Sequence, residues 1–195
     1  MKKKIKNIGV PFKILLVFCL FASIIFNYNI IKAKQISTEN IKPPLSSSQI
    51  DNFAVERGIT PIAIKVINNF TIILYEKKGI IGSYALTFDQ QGNLKSEANS
   101  SGRNISNSSP ISLGSSGGTE INVGEYNFIW LIINDEQLLN KADSVRVIFK
   151  NKTEKKESVD RKKGIIIPNS SGEFDLQHIY ILDKENKILY EKTFD

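Results

Sequence analysis

From Ile59 onward, the sequence consists of short runs rich in β-branched and aromatic residues, separated by turn residues, and this pattern is typical of β-strands. The early runs are joined by Asn68-Asn69, by Lys77-Lys78-Gly79 and by residues 89–93. Such short joints predict antiparallel neighbours. The predicted strands cover residues 61–67, 70–76, 80–88, 94–98, 126–134, 144–150, 157–168, 176–183 and 187–194.

These strands predict a mainly β (α+β) fold, a two-layer antiparallel β-sandwich-like domain with one or two short helices. One helix is expected after Ser48, with Ile50, Phe53, Ala54 and Arg57 on one side and Gly58 at its end. The second is expected over residues 135–142, with Asn134 as its cap and Lys141 near its negative end.

The run YNFIWLIIN, residues 126–134, carries apolar side chains on both alternating sets of positions. A strand that is apolar on both faces is usually central and covered on both sides. We therefore expect Trp130 to be a core anchor and not a platform for a ligand.

The N-terminal segment has the organisation of an export signal. Residues 1–33 contain six lysines and no acidic residue, and an apolar run extends from Ile14 to Phe26. The run is shorter than the roughly 20 residues that span a bilayer, which favours a signal peptide cleaved after Ala33. An uncleaved membrane anchor and a buried core helix are the alternatives. The segment 34–47, with Pro43-Pro44, is predicted to be a polar tether, and residues 48–195 a single β-rich globular domain.

The excess positive charge of the chain is concentrated in residues 1–33. Six of the 26 basic residues lie in residues 1–33, which leaves 20 basic against 20 acidic residues. A near-neutral body does not favour a nucleic-acid partner, and membrane contact is expected only through the N-terminal segment.

Cys19 is the one cysteine and lies within the apolar run. Lipid attachment there is disfavoured, because the large Phe18 precedes it and apolar residues continue beyond it. After cleavage the chain would hold no thiol and a single histidine, so we predict no disulfide, no metal and no cofactor.

The segment Gly114-Ser115-Ser116-Gly117-Gly118 matches the G-x-S-x-G pattern of hydrolase nucleophiles. The one available base is His178, and the order Ser116, Asp143, His178 fits a known triad order. However, the residues after Gly118 alternate like a strand, whereas the nucleophile elbow requires a helix there. We therefore expect no catalytic residue, and an exported serine hydrolase using Ser116 and His178 is kept as an alternative.

Residues 99–119 are dominated by Ser, Gly and Asn and are predicted to form a mobile connector. Pairing of the Ile111-Ser112-Leu113 fragment as an edge strand would split this stretch into two ordinary loops. The alternative is a ligand-binding cradle, in which the backbone N–H groups of residues 115–118 bind an anion with help from Arg103. The candidate ligand-binding residues are Arg103, Ser115, Ser116, Gly117 and Gly118.

The export signal, the neutral body and the lack of a catalytic set together predict a non-catalytic binding domain. It would be secreted or anchored to the outer face of the cytoplasmic membrane, with an extracytoplasmic protein or a cell-envelope component as its partner. An amino-acid composition rich in Lys, Ile and Asn is typical of low-GC bacteria. A further alternative is an inhibitor or stress-accessory protein that acts through the 99–119 loop.

Overall fold

The computed structural model describes residues 43–89, 91–104, 109–120, 123–169 and 174–194, and Lys42–Asp195 form one compact unit. The predicted signal or anchor at 1–33, with Cys19, and most of the predicted tether lie outside the described residues. The helices are α1 (Ser47–Arg57) and α2 (Glu136–Lys141). The strands are β1 (Thr60–Ile67), β2 (Phe70–Lys77), β3 (Ile80–Phe88), β4 (Leu94–Asn104), β5 (Ile111–Glu120), β6 (Gly124–Ile133), β7 (Ser144–Phe149), β8 (Glu154–Ser158), β9 (Gly164–Pro168), β10 (Leu176–Leu182) and β11 (Ile188–Thr193).

The strands form three antiparallel sheets. Sheet A has the order β1-β2-β3-β4, sheet B the order β5-β6-β9, and sheet C the order β11-β10-β7-β8. Two-residue turns join the first three strands, and Lys78 and Gly79 both take positive φ, as hairpin turns of this length favour. The short joints therefore impose the antiparallel order that the sequence predicts.

The mainly β, antiparallel sandwich-like fold with two short helices is confirmed. The structure adds a third sheet and two strands to the predicted set. The predicted strand at 157–168 is two strands, because the chain leaves sheet C after β8 and enters sheet B as β9. Val159 is fully buried at this crossing.

Sheet B is the middle layer of the molecule, and β6 is its central strand. Phe128, Trp130 and Ile132 pack against β2 and β3 of sheet A, whereas the alternating residues Ile129 and Leu131 pack against β7 and β10 of sheet C. Trp130 is only 2% exposed, which confirms it as a core residue. Each fully buried large apolar side chain contributes roughly 1.5–3 kcal/mol, so this strand is a major source of stability.

Helix α1 covers the opposite side of sheet A. Ile50, Phe53 and Ala54 pack with Ile73 and Leu86. The helix begins two residues earlier than expected: Ser46, and not Ser48, is the N-cap, because it forms a reciprocal capping box with Gln49. Gly58 ends the helix in the left-handed conformation, as predicted.

The segment before α1 also belongs to this layer. Leu45 lies within the predicted tether, yet it is buried in the same cluster, and its N–H donates to Oγ1 of Thr71 at 3.3 Å.

Helix α2 connects sheet B to sheet C. Its N-cap is Asp135, and not Asn134, because the Asp135 carboxylate accepts from the N–H of Leu138 at 2.9 Å. Lys141 lies in the last turn, as predicted. The side chain of Asn134 is instead used to hold β5, through bonds to Ser109 O and to Ser112 Oγ.

Candidate functional site

The predicted ligand-binding residues lie in strands. Ser115, Ser116, Gly117 and Gly118 are all part of β5 and pair with residues 126–129 of β6. The backbone of Arg103 lies in β4, and its side chain lies outside the described residues. The prediction that 99–119 is a mobile connector is therefore wrong for most of its length. The edge-strand alternative for residues 111–113 is confirmed, and that strand continues to Glu120.

The glycines of this segment are explained by aromatic rings on the neighbouring strand. Gly114 lies opposite Trp130 and Gly118 opposite Tyr126. A Cβ added at Gly114 would overlap the indole of Trp130, and one added at Gly118 would lie 2.7 Å from Oη of Tyr126. Both rings thus lie across β5, at positions that only glycine leaves open. The G-x-S-x-G match arises from this packing.

The tyrosine that covers Gly118 also connects sheets A and B. Oη of Tyr126 donates to Oε2 of Glu97 on β4 at 2.7 Å, and the ring is almost completely buried. Close by, Nζ of Lys95 lies 2.6 Å from Oε1 of Glu120. These contacts hold β4 near one end of β5.

The extended backbone of β5 does not form the predicted anion cradle. A cradle of this kind requires successive N–H groups to point to the same side, whereas successive N–H groups of a strand point to opposite sides. Ligand binding by residues 115–118 stays a prediction, and the groups they offer are those of a strand edge.

Ser116 and His178 are not brought together. Ser116 lies opposite Phe128, on the side of sheet B that faces sheet A. His178 lies on β10 next to Ile179, which packs into the core between sheets B and C, so the histidine points outward from sheet C. The core between the sheets, which stack about 10 Å apart, separates the two side chains. Asp143 bonds through its backbone to Leu182 and Val159.

The outward side of sheet C carries a cluster of polar and aromatic residues, which we call the Tyr180 face. It is built from two cross-strand rows that the register of the sheet places side by side. The members are Lys156, Arg146, Tyr180 and Glu191 in the first row, and Glu154, Ile148, His178 and Thr193 in the second.

Two flat groups on this face contact the ring of Tyr180. The guanidinium of Arg146 lies 4.7 Å from the centre of the Tyr180 ring, and the imidazole of His178 is stacked on the ring at 5.7 Å. Nδ1 of His178 is also 3.2 Å from Oγ1 of Thr193 and 3.7 Å from the carboxylate of Glu191. Desolvation and then the charge of Glu191 raise the pKa of the Tyr180 hydroxyl.

One nitrogen of the Arg146 side chain, Nε, lacks a hydrogen bond among the described residues. Its Nε is shielded from solvent and has no hydrogen-bond partner in the described part of the chain, since the nearest carboxylate oxygen, on Glu154, is 3.9 Å away. A shielded donor of this kind is uncommon in folded proteins.

The sequence pattern misplaces part of this strand. Strict alternation puts Leu176, His178, Tyr180 and Leu182 on one side of β10. In the structure, Leu176 is turned into the core instead, because β10 has one extra residue relative to β7 between Leu176 and His178. Leu182 is also buried, at the end of the strand, where it pairs with the buried Ser144. His178 and Tyr180 remain together on the outward side. In β7, the alternation of Arg146 with the apolar residues Val145 and Val147 indicates that Arg146 also points outward.

Within the residues that the structure describes, no group of three or more His, Cys, Asp or Glu side chains is placed to hold a metal ion. The same residues include no helix that is long and apolar enough to cross a membrane. No protein-family model matches the sequence, and no curated protein or solved structure is significantly similar to it.

Proposed function

We propose that this protein is a secreted or membrane-tethered binding domain without catalytic activity, and that it contacts an extracytoplasmic protein through the Tyr180 face. The observation that carries the proposal is the stack of Arg146, Tyr180 and His178 on the outward side of sheet C. Tyrosine and arginine are enriched at protein interfaces and dominate their binding energy.

The side chains of the Tyr180 face are partly exposed and already ordered. Those of Arg146, His178 and Glu191 are 34%, 25% and 46% exposed. Because Arg146 and His178 already stack on Tyr180, these side chains lose few rotamers on binding, which lowers the entropic cost of association.

The charge distribution favours a protein over an anionic polymer. The first row runs from Lys156 and Arg146 to Glu191, and Glu154 adds a second carboxylate beside the arginine. A polyanion would be repelled by these carboxylates, whereas a protein surface can present both signs in register. An envelope polymer is therefore the less favoured partner.

The extracytoplasmic location is supported by the N-terminal sequence, with its lysines, its apolar run and the small residue Ala33. Fractionation of the producing cells, followed by intact-mass measurement, tests it. A protein outside the cytoplasm that begins at Lys34 is expected for cleavage, and the full mass in the membrane fraction for an anchor. A full-length protein that is soluble in the cytosol would overturn the location.

The binding proposal is tested with the variants Tyr180→Ala and Arg146→Ala and with the control Val55→Ser. Val55 is 81% exposed on α1, on the opposite side of sheet A from sheet B. Each is used as bait for chemical crosslinking to an intact envelope fraction. We expect one protein adduct that both Tyr180-face variants reduce at least tenfold and that the control retains.

Adducts of equal yield from all three variants would contradict the role of this face. Equal melting temperatures of the three proteins exclude a general loss of folding as the cause of a lost adduct.

A further inference from the structure

We propose that the edge of β5 from Ser115 to Thr119 is a self-association surface, where two copies of the chain pair these residues with each other in an antiparallel, two-fold arrangement. This joins the two B sheets into one sheet of order β9-β6-β5-β5-β6-β9. The proposal uses a different surface from the Tyr180 face and does not depend on it.

The first argument is a contrast among the sheet edges. Natural sheet edges are protected from pairing by charged residues, proline, bulges or covering segments. Strand β1 contains Pro61 beside a register shift, and β4, β8 and β11 each carry charged side chains. Strand β9 ends at Pro168, and its Gly164 lies close to the backbone of Ile62.

Within the described part of the chain, strand β5 has none of these protections over residues 115–119. It is ten residues long, and no charged residue occurs from Ile111 to Thr119. Among the described residues, only β6 pairs with it.

The second argument concerns the backbone groups of that edge. The C=O of Pro110 accepts from the N–H of Asn134 at 2.8 Å, which places the even-numbered residues of β5 in hydrogen-bonded positions opposite β6. The N–H and C=O groups of Ser115, Gly117 and Thr119 therefore point away from β6. An alternating series of donors and acceptors in one line is complementary to another extended strand.

The third argument identifies the second strand as a copy of the same one. In an antiparallel register centred on Gly117, the outward groups of Ser115 meet those of Thr119 of the partner subunit. The only charged residue of β5, Glu120, then lies opposite a glycine and is already paired with Lys95. No like charges oppose one another, and the interface is self-complementary, as a two-fold dimer requires.

The expected association is weak, because serine and glycine bury little apolar surface and contribute mainly backbone hydrogen bonds. Small interfaces of this kind belong to the transient class. Sedimentation velocity over a wide concentration range is therefore the suitable measurement, and the wild-type protein is expected to show a reversible, concentration-dependent shift from monomer to dimer.

Two matched double variants test the register. Ser115→Lys with Thr119→Lys puts ammonium groups opposite each other across the two-fold axis, and we expect it to weaken dimerisation at least tenfold. Ser115→Lys with Thr119→Glu puts opposite charges there, and we expect it to restore or strengthen the dimer. Because both variants change the same exposed positions, a loss of folding would affect both, and equal melting temperatures exclude it.

A wild type and a Lys/Glu variant that both remain monomeric at every concentration would overturn the proposal. So would equal dimerisation of the wild type and the Lys/Lys variant. A monomeric wild type whose β5 amides gain protection from hydrogen exchange on addition of a synthetic peptide of residues 111–120 would assign the edge to an extended segment of another protein. That result would overturn the second copy as the occupant.

Discussion

Strands β5 and β6 are neighbours in one sheet, have the same length and pair residue for residue, yet their sequences have almost nothing in common. Strand β6 is apolar from Phe128 to Ile133 and is covered there on both faces. Strand β5 is mostly serine and glycine. The same backbone conformation is thus reached for two different physical reasons.

For β6 the reason lies in its own side chains, which are β-branched or aromatic and require burial on both faces. For β5 the reason lies in its neighbour. Two of its glycines lie where the rings of Trp130 and Tyr126 require space. Backbone hydrogen bonds to β6 hold the remaining residues in the extended conformation. The packing of a neighbouring strand can therefore determine a strand whose own residues have little β-propensity.

The largest expected effect is at the centre of β6. Trp130→Ala removes a fully packed indole and leaves a cavity between sheets A and B, and we expect it to lower the free energy of unfolding by about 3–5 kcal/mol. Urea denaturation followed by far-UV circular dichroism measures this. A loss below about 1 kcal/mol would show that β6 is not the main source of stability.

The next effect tests whether β5 depends on the ring of its neighbour. Gly114→Val places a side chain where the Trp130 indole lies, so we expect a destabilisation of about 1–3 kcal/mol. In a Trp130→Leu background the same substitution should cost clearly less, since the smaller side chain leaves room. Additive effects in this double-mutant cycle would contradict the packing explanation.

A smaller effect is expected at the other end of the strand. Gly118→Ala brings a methyl group against Oη of Tyr126 and the carboxylate of Glu97, and the carboxylate can move aside. We expect a loss of about 1 kcal/mol, measured by the shift in thermal midpoint. A larger loss than that of Gly114→Val would reverse the proposed order of the two contacts.

The smallest effect is expected where β5 has no ring to accommodate. Ser115 is exposed, and Ser115→Val adds a strand-forming side chain there, so the change in stability should stay within about 0.5 kcal/mol of zero. Chemical denaturation alongside Gly114→Val gives the direct contrast. A destabilisation as large as that of Gly114→Val would mean that β5 tolerates no larger side chain at all.

Much of the fold could be predicted because the signals were local. The ends of β3 and the turn at Lys78-Gly79 follow from alternation and turn chemistry, and Trp130 follows from a run that is apolar on both faces. The cap of α1 was misplaced by two residues because three successive serines offer equivalent hydroxyls, and only the bond to Gln49 distinguishes Ser46.

The candidate site could not be predicted in the same way, since it depends on contacts between distant strands. The glycines of β5 suggested flexibility, because nothing in their own segment reveals the rings on β6. The stack of Arg146 on Tyr180 joins residues that are 34 positions apart along the chain, and it depends on the register of β7 with β10, which places the two residues opposite each other. Alternation along each strand shows which residues share a face, but it does not show which residue of a distant strand lies opposite.

The order in which the chain visits its sheets also limits how it can be shortened. Sheet A is complete by Asn104, but β9, the last strand of sheet B, follows two strands of sheet C, and sheet C closes only with β10 and β11. A polypeptide that ends before Gly164 would leave one flank of β6 unpaired and its apolar side chains uncovered. During synthesis, sheet B can therefore be completed only after β9 has emerged from the ribosome. C-terminally truncated chains are expected to aggregate and not to yield a smaller stable domain.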